Sequence, residues 1–125
     1  MNDKLSLLLV EDDRSIAMAL KIRLQAHGYK VAMAENIEQA FGHAEKACPQ
    51  LAVVDINLPD GNGISLVAAL QTLWPGKSVP TLIMTASKRA GLCEMAMANG
   101  AVGFMEKPFR SDQLINKLQS ISSSV

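Results

Sequence analysis

Apolar runs alternate along the chain with stretches in which apolar residues recur three and four positions apart, the pattern of strands alternating with amphipathic helices. Leu5 to Val10, interrupted only by Ser6, predicts the first strand. Ile16, Leu20 and Leu24 predict the helix after it, which Gly28 ends. Tyr29 to Ala34 predicts a short second strand, and Asn36 can cap the next helix. There Ile37, Ala40, Phe41 and Ala44 share one face before Pro49 stops the helix. Leu51 to Val54 is unbroken and half β-branched, as in a strand buried on both faces, and it ends at Asp55. A Pro59-Asp60-Gly61 loop follows, then a helix from about Ile64 to Leu73, closed by Trp74-Pro75-Gly76. Val79 to Thr85 predicts a fourth strand, with Pro80 near its start, where a missing donor does least harm. Leu92, Met95, Ala96 and Asn99 mark the face of a fourth helix, and Gly100 and Gly103 bracket its exit. Val102 to Met105 predicts the fifth strand. Ser111 is the expected cap of a last helix reaching about Ile121, with Leu114, Ile115, Leu118 and Ile121 facing inward.

Strands separated by helical crossovers imply a parallel sheet with helices on both faces. The expected architecture is an α/β, doubly wound (βα)5 fold with a five-stranded sheet of order 2-1-3-4-5, whose switch point lies between the first and third strands. At 125 residues the chain makes one domain, expected over 1–121. Residues 122–125 are Ser-rich and form either a tail or the start of a linker.

Composition narrows the function classes. Lys plus Arg equal Asp plus Glu, 12 against 12, so nothing electrostatic points to nucleic-acid or membrane-surface binding. No apolar run approaches the roughly 20 residues of a membrane span. Met1 to Lys4 is polar and leads straight into a strand, so no signal peptide is expected and the expected location is the cytoplasm. Cys48 and Cys93 make neither a metal spacing nor a disulfide framework, and both are expected as small packing residues within helices.

The chemistry collects at the carboxyl ends of the predicted strands, where open α/β sheets place their ligands. The first strand delivers Glu11, Asp12 and Asp13, the third Asp55, the fourth Thr85 and the fifth Lys107. Converging carboxylates repel one another unless a cation is bound. An all-oxygen donor set suits Mg²⁺ better than zinc or copper. Asp12 or Asp13 can instead cap the first helix, Thr85 is also an ordinary strand residue, and Lys107-Pro108 can also be a solvated turn. The conjunction at four strand ends favours a site in which Asp55 is a nucleophile toward a phosphoryl group, with Lys107 pairing the incoming charge.

These segments resemble the receiver domain of two-component response regulators along the whole chain. The matching pieces are Leu-Leu-Val-Glu-Asp-Asp (8–13), Val-Val-Asp-Ile-Asn-Leu-Pro-Asp-Gly-Asn-Gly (53–63), Met-Thr-Ala (84–86), Ala-Asn-Gly-Ala (98–101) and Phe-Met-Glu-Lys-Pro-Phe (104–109). The resemblance implies the flavodoxin-like, CheY-like version of the fold. It implies that Asp55 is the phosphoacceptor and that Mg²⁺ (or Mn²⁺) is held by Asp12, Asp55 and the Asn57 backbone carbonyl, with Glu11 acting through water. Thr85 resembles the switch hydroxyl, Phe104 the aromatic that rotates with it, and Lys107 the site lysine, followed by a cis bond to Pro108. Asn57 and Ser87 occupy the positions that tune the lifetime of the phosphoryl group.

As partners, the resemblance implies a histidine kinase or a histidine phosphotransfer protein as donor. A two-state surface formed by the fourth helix, fifth strand and fifth helix would meet an output domain, a downstream protein or a second copy. The domain would be a switch that assists its own modification and hydrolysis, not a turnover enzyme. Winged-helix regulators of this family carry an acidic pair before the switch aromatic. Here Val102-Gly103 stand there, and the fourth helix offers mainly Lys88, Arg89 and Glu94, which weakens the case for their symmetric dimer. Ala90, Met95, Ala96 and Met97 make that helix apolar enough to expect a partner or second copy over it. Two other readings are a receiver fold serving only as an interaction module, and a haloacid-dehalogenase-like phosphohydrolase. The second wants an aspartate at Asn57, a nucleophile on the first strand and a cap insertion that this chain is too short to hold.

Overall fold

The strand that ends at Asp55 lies at the centre of the sheet, and all five of its residues are buried (β3, Leu51–Asp55). In the computed structural model, which describes residues 4–123, it is flanked by β1 (Leu5–Val10) and β4 (Thr81–Thr85). The edges are β2 (Tyr29–Ala34) and β5 (Gly103–Glu106), giving a parallel sheet of order β2-β1-β3-β4-β5. This is the expected order, with its switch point between β1 and β3. Register aligns Val10 with Val54, Asp55 with Met84 and Thr85 with Glu106, so the residues just beyond each strand collect along one rim.

Successive strand residues point to opposite faces, and each face has its own helices. Leu7, Leu9, Val53, Leu82 and Met84 pack with Leu20 and Leu24 of α1 (Arg14–Ala26) and Leu114 and Leu118 of α5 (Ser111–Ser123). Leu8, Val10, Val54 and Ile83 pack under α2 (Ile37–Lys46), α3 (Gly63–Thr72) and α4 (Leu92–Ala98). Full burial of such a side chain contributes about 1.5–3 kcal/mol, and these two layers hold the rim in place.

Polar side chains set most of the helix starts. Asp13 accepts the Ile16 N–H at 3.1 Å, Asn36 the Gln39 N–H at 2.8 Å and Asn62 the Ile64 N–H at 2.8 Å. Gly28, with φ +92°, leaves α1 in the left-handed region that favours glycine. Between β3 and α3 the chain makes a two-residue antiparallel ribbon, Asn57–Leu58 with Gly61–Asn62, turning at Pro59 and Asp60. Gly63 then passes so close to β3 that a Cβ there would lie 2.1 Å from the Asp55 carbonyl oxygen.

Several expectations are corrected. β4 begins at Thr81, because Pro80 has no N–H for the ladder, although Val79 before it is buried. β5 is shifted one residue, to Gly103–Glu106, and α5 continues through Ser123. Ser111 is the first helical residue and not the cap: the Arg110 carbonyl accepts the N–H groups of Gln113 and Leu114, and the Gln113 side chain accepts the Arg110 N–H at 2.9 Å. Met95 is exposed, so the buried stripe of α4 narrows to Leu92 and Ala96. Cys48 lies beyond the end of α2, half-buried, and Cys93 is in α4 but exposed, so it does not pack inside. Met1–Asp3 and Ser124–Val125, on which the leader and tail expectations partly rest, lie outside the described residues. Among the described residues no helix is long and apolar enough to cross a membrane.

Candidate functional site

The rim brings together three carboxylates and one ammonium. Asp55, the last residue of β3, is 5% exposed. Its Oδ2 accepts from Lys107 Nζ at 2.9 Å and its Oδ1 from the Asn57 N–H at 3.1 Å. Glu11, one residue past β1, is 2% exposed. Its Oε1 accepts from Lys107 Nζ at 2.5 Å and its Oε2 from the Asp13 N–H at 3.2 Å. Asp12 is exposed, and its carboxylate lies within 4.8 Å of those of Glu11 and Asp55. Asp13 takes no part, because its carboxylate is the α1 cap.

Charge at the rim does not balance. Burial pushes the Glu11 carboxyl above its ordinary value; the Lys107 and Asp13 hydrogen bonds pull it back without overcoming this, and the Asp55 charge adds to the rise. Burial works to lower the Lys107 ammonium, but the hydrogen bonds and charges of Asp55 and Glu11 outweigh it and hold the pKa up. One ammonium therefore faces three acids. The excess negative charge, the all-oxygen donors and the solvent-open Asp12 fit a hard divalent cation such as Mg²⁺.

Not all of the other expected residues reach this cluster. Thr85 is fully buried; its carbonyl accepts the Lys107 N–H at 2.7 Å and its Oγ1 accepts the Ser87 N–H at 3.0 Å. Ser87 Oγ in turn accepts the Arg89 N–H at 3.3 Å. Asn57 is exposed on the ribbon. Phe104 is half-buried and packs against the core beneath α2, α3 and α4, not among the acids. The Lys107-Pro108 bond is cis. An open apolar groove of about 390 Å³ runs beside Lys107, lined by Ile16, Leu20, Pro108 and Phe109 among others.

Two features escaped the sequence reading. The Glu11–Lys107 ion pair joins residues 96 apart, and nothing local announces it. Asp60 was visible only as part of a turn, yet its Oδ1 accepts the Ile37 N–H at 2.9 Å and its Oδ2 the Glu38 N–H at 3.1 Å. The Ile37 hydrogen bond, helped by that of Glu38, holds the Asp60 carboxyl below its ordinary value.

Comparison with known proteins places this geometry. A family model described as the response regulator receiver domain matches residues 7–119. The virulence transcriptional regulatory protein PhoP of Salmonella typhimurium is 30% identical over 114 residues, covering 91% of this chain and 50% of that protein. The chain thus spans about half the length of that curated relative. A CheY-like receiver domain protein from Methanospirillum hungatei JF-1 superposes with a TM-score of 0.91 at 25% identity, covering 98% of this chain and 96% of that one. A response regulator from Burkholderia pseudomallei, crystallised with a phosphorylated aspartic acid, a calcium ion and citrate, gives 0.82 at 25% identity, covering 96% of this chain and 73% of that one. With the sheet order, the rim of acids and the match over 7–119 all in agreement, the chain belongs to the receiver domains of two-component response regulators.

Proposed function

We propose that the domain is a phosphorylation-controlled switch in which Asp55 takes a phosphoryl group from the phosphohistidine of a histidine kinase or a histidine phosphotransfer protein. The observation that carries this is the Lys107 ammonium set between Glu11 and Asp55, with Asp12 completing an acid group open to solvent. An Asp55 oxygen attacks phosphorus and an O–P bond forms. The N–P bond breaks, and its electron pair leaves on the imidazole nitrogen, which takes a proton from water. Asp12, Asp55 and the Asn57 carbonyl, with Glu11 through water, would hold a Mg²⁺ or Mn²⁺ ion, which would supply charge neutralisation to the transferring group.

Lys107 turns part of its hydrogen bonding from Glu11 and Asp55 to the arriving phosphoryl oxygens. Thr85 Oγ1 already accepts from Ser87, which leaves its own hydrogen to be donated to a phosphoryl oxygen. Thr85 and Phe104 then bias the surface of α4, β5 and α5 toward an output domain, a downstream protein or a second copy. Asn57 and Ser87 set how long the acyl phosphate survives. The groove beside Lys107 gives the phosphodonor protein an apolar foothold next to the acceptor. The role is switching in the cytoplasm, without turnover of a separate substrate.

The test is intact mass after incubation with acetyl phosphate, with and without Mg²⁺, on the wild type and Asp55→Asn. The expected result is a labile gain of one phosphoryl group that needs Mg²⁺ and is absent in the variant. A Mg²⁺-independent gain, or one that survives Asp55→Asn, overturns the reading.

A further inference from the structure

We infer that Asp60 is a positioning residue for the cation: by fastening the tip of the 56–63 loop to the start of α2, it holds the Asn57 carbonyl where the metal needs it. The inference rests on the proposed function, in which that carbonyl is a ligand.

The loop is anchored at its base in two ways. The Gly63 N–H donates to the Ile56 carbonyl at 2.7 Å, and the ribbon pairs Asn57 with Asn62 and Leu58 with Gly61. Between these arms the chain turns at Pro59 and Asp60, both exposed, and such a short ribbon has no core of its own to hold it. Its tip is held from outside. Both Asp60 carboxylate oxygens accept backbone N–H groups of α2, from Ile37 at 2.9 Å and Glu38 at 3.1 Å. These are orphan donors of a helix N-terminus, which also carries partial positive charge. The neighbouring Gly61 backs onto the same helix, where a Cβ would lie 3.0 Å from Ile37 Cδ1. Gly61–Asn62, the strand that follows the clamp, pairs with the strand that carries Asn57, whose N–H already holds Asp55 Oδ1 at 3.1 Å. Displacing the tip therefore displaces both the acceptor's hydrogen-bond donor and the carbonyl proposed for the metal.

A control is built into the same helix end. Asn36 caps α2 through the Gln39 N–H at 2.8 Å. Removing it weakens α2 without removing either oxygen that holds the loop. Two substitutions at one helix terminus thus separate positioning of the site from plain helix stability.

The experiment is calorimetric titration of Mg²⁺ into folded wild type, Asp60→Ala, Asp60→Asn and Asn36→Ala, with a thermal melt of each. Outer partners of metal ligands typically govern about 10- to 100-fold in affinity, and a loop anchor belongs at the low end. Asp60→Ala is expected to weaken Mg²⁺ binding about tenfold. Asp60→Asn, which keeps one acceptor oxygen, should fall in between, and it covers the case in which the alanine variant does not fold. Asn36→Ala should melt lower yet bind Mg²⁺ within about twofold of wild type. Wild-type affinity in both Asp60 variants, or equal weakening by Asn36→Ala, overturns the inference and leaves the proposed function standing. No Mg²⁺ binding by the wild type overturns the proposed function itself and the inference with it.

Discussion

The two helices that begin beside the loops of the site are built in opposite ways. At the start of α2 the N–H groups of Ile37, Glu38 and Gln39 all donate to side-chain oxygens, two from Asp60 and one from Asn36. At the start of α4 the cap is Gly91, with φ +87° and no side-chain hydrogen bond, and the helix lasts seven residues. α2 presses Ala40 and Ala44 into the core, with Ile37 and Phe41 packed against it, whereas α4 buries Leu92 and Ala96 and leaves Met95 and Met97 exposed. A side-chain cap contributes about 1 kcal/mol, so the contrast is energetic as well as geometric. The difference teaches a division of labour. The Asn57 side of the site is pinned, as the proposed cation site would require, while the side beyond Thr85 is held by fewer contacts, as the proposed response surface would require.

The largest effect is expected on the pinned side, at Gly63. A methyl there meets the Asp55 carbonyl, a backbone atom that cannot move without moving Asp55 itself. Gly63→Ala should cost about 3 kcal/mol and lower Tm on the order of 10 °C. A thermal melt decides it: a Tm within about 2 °C of wild type would mean that β3 and α3 can separate freely, and the pinned side would lose its claim to rigidity.

How much of this was legible in the chain follows from how local each cause is. β3 could be read because a strand buried on both faces must be apolar throughout, so the first charged residue, Asp55, marks its end. The α2 cap could be read because Asn36 and Gln39 are three residues apart. The width of α4's buried stripe could not: Met95 and Ala96 both fit helical spacing from Leu92, and only the narrow contact of a short helix selects Ala96. Arg110 was passed over for Ser111 because a serine is a good cap in isolation. The real signal was Gln113, placed to reach back to the Arg110 N–H. At the site, residue types at strand ends announced Glu11, Asp12, Asp55 and Lys107, but not that Lys107 divides itself between two of the acids. Asp60 was least legible, since its partners lie 23 and 22 residues earlier and its Pro-Asp-Gly setting already explained it as a turn.

A smaller effect sharpens the contrast through pH. The Asp60 carboxyl is held below its ordinary value of 3.8, chiefly by the Ile37 N–H. A lowered folded-state pKa means that the stabilising contribution is complete above the unfolded value. It is lost as pH falls through the folded value and the carboxylate protonates. Asp60→Asn cannot titrate. The wild type should therefore melt higher than this variant near pH 6, and the gap should close on acidification below 3.8. Melting both proteins from pH 6 downward tests this, and a gap that stays constant into acid would show that the carboxylate's charge does not serve the clamp.

The smallest effect belongs to α4. Met95 and Met97 are 44% and 46% exposed, on either side of a fully buried Ala96. Replacing both by Gln removes little contact with the domain, so stability should change by no more than about 0.5 kcal/mol. A melt that drops well beyond that would show that these side chains brace α4, and the loose side would be less loose than its cap implies. If stability holds, the methionines remain as apolar area that the fold does not use. Sedimentation with and without a phosphoryl mimic then bears on what covers them. Association that the mimic promotes and the double variant abolishes points to a second copy, and a monomer under both conditions counts against one.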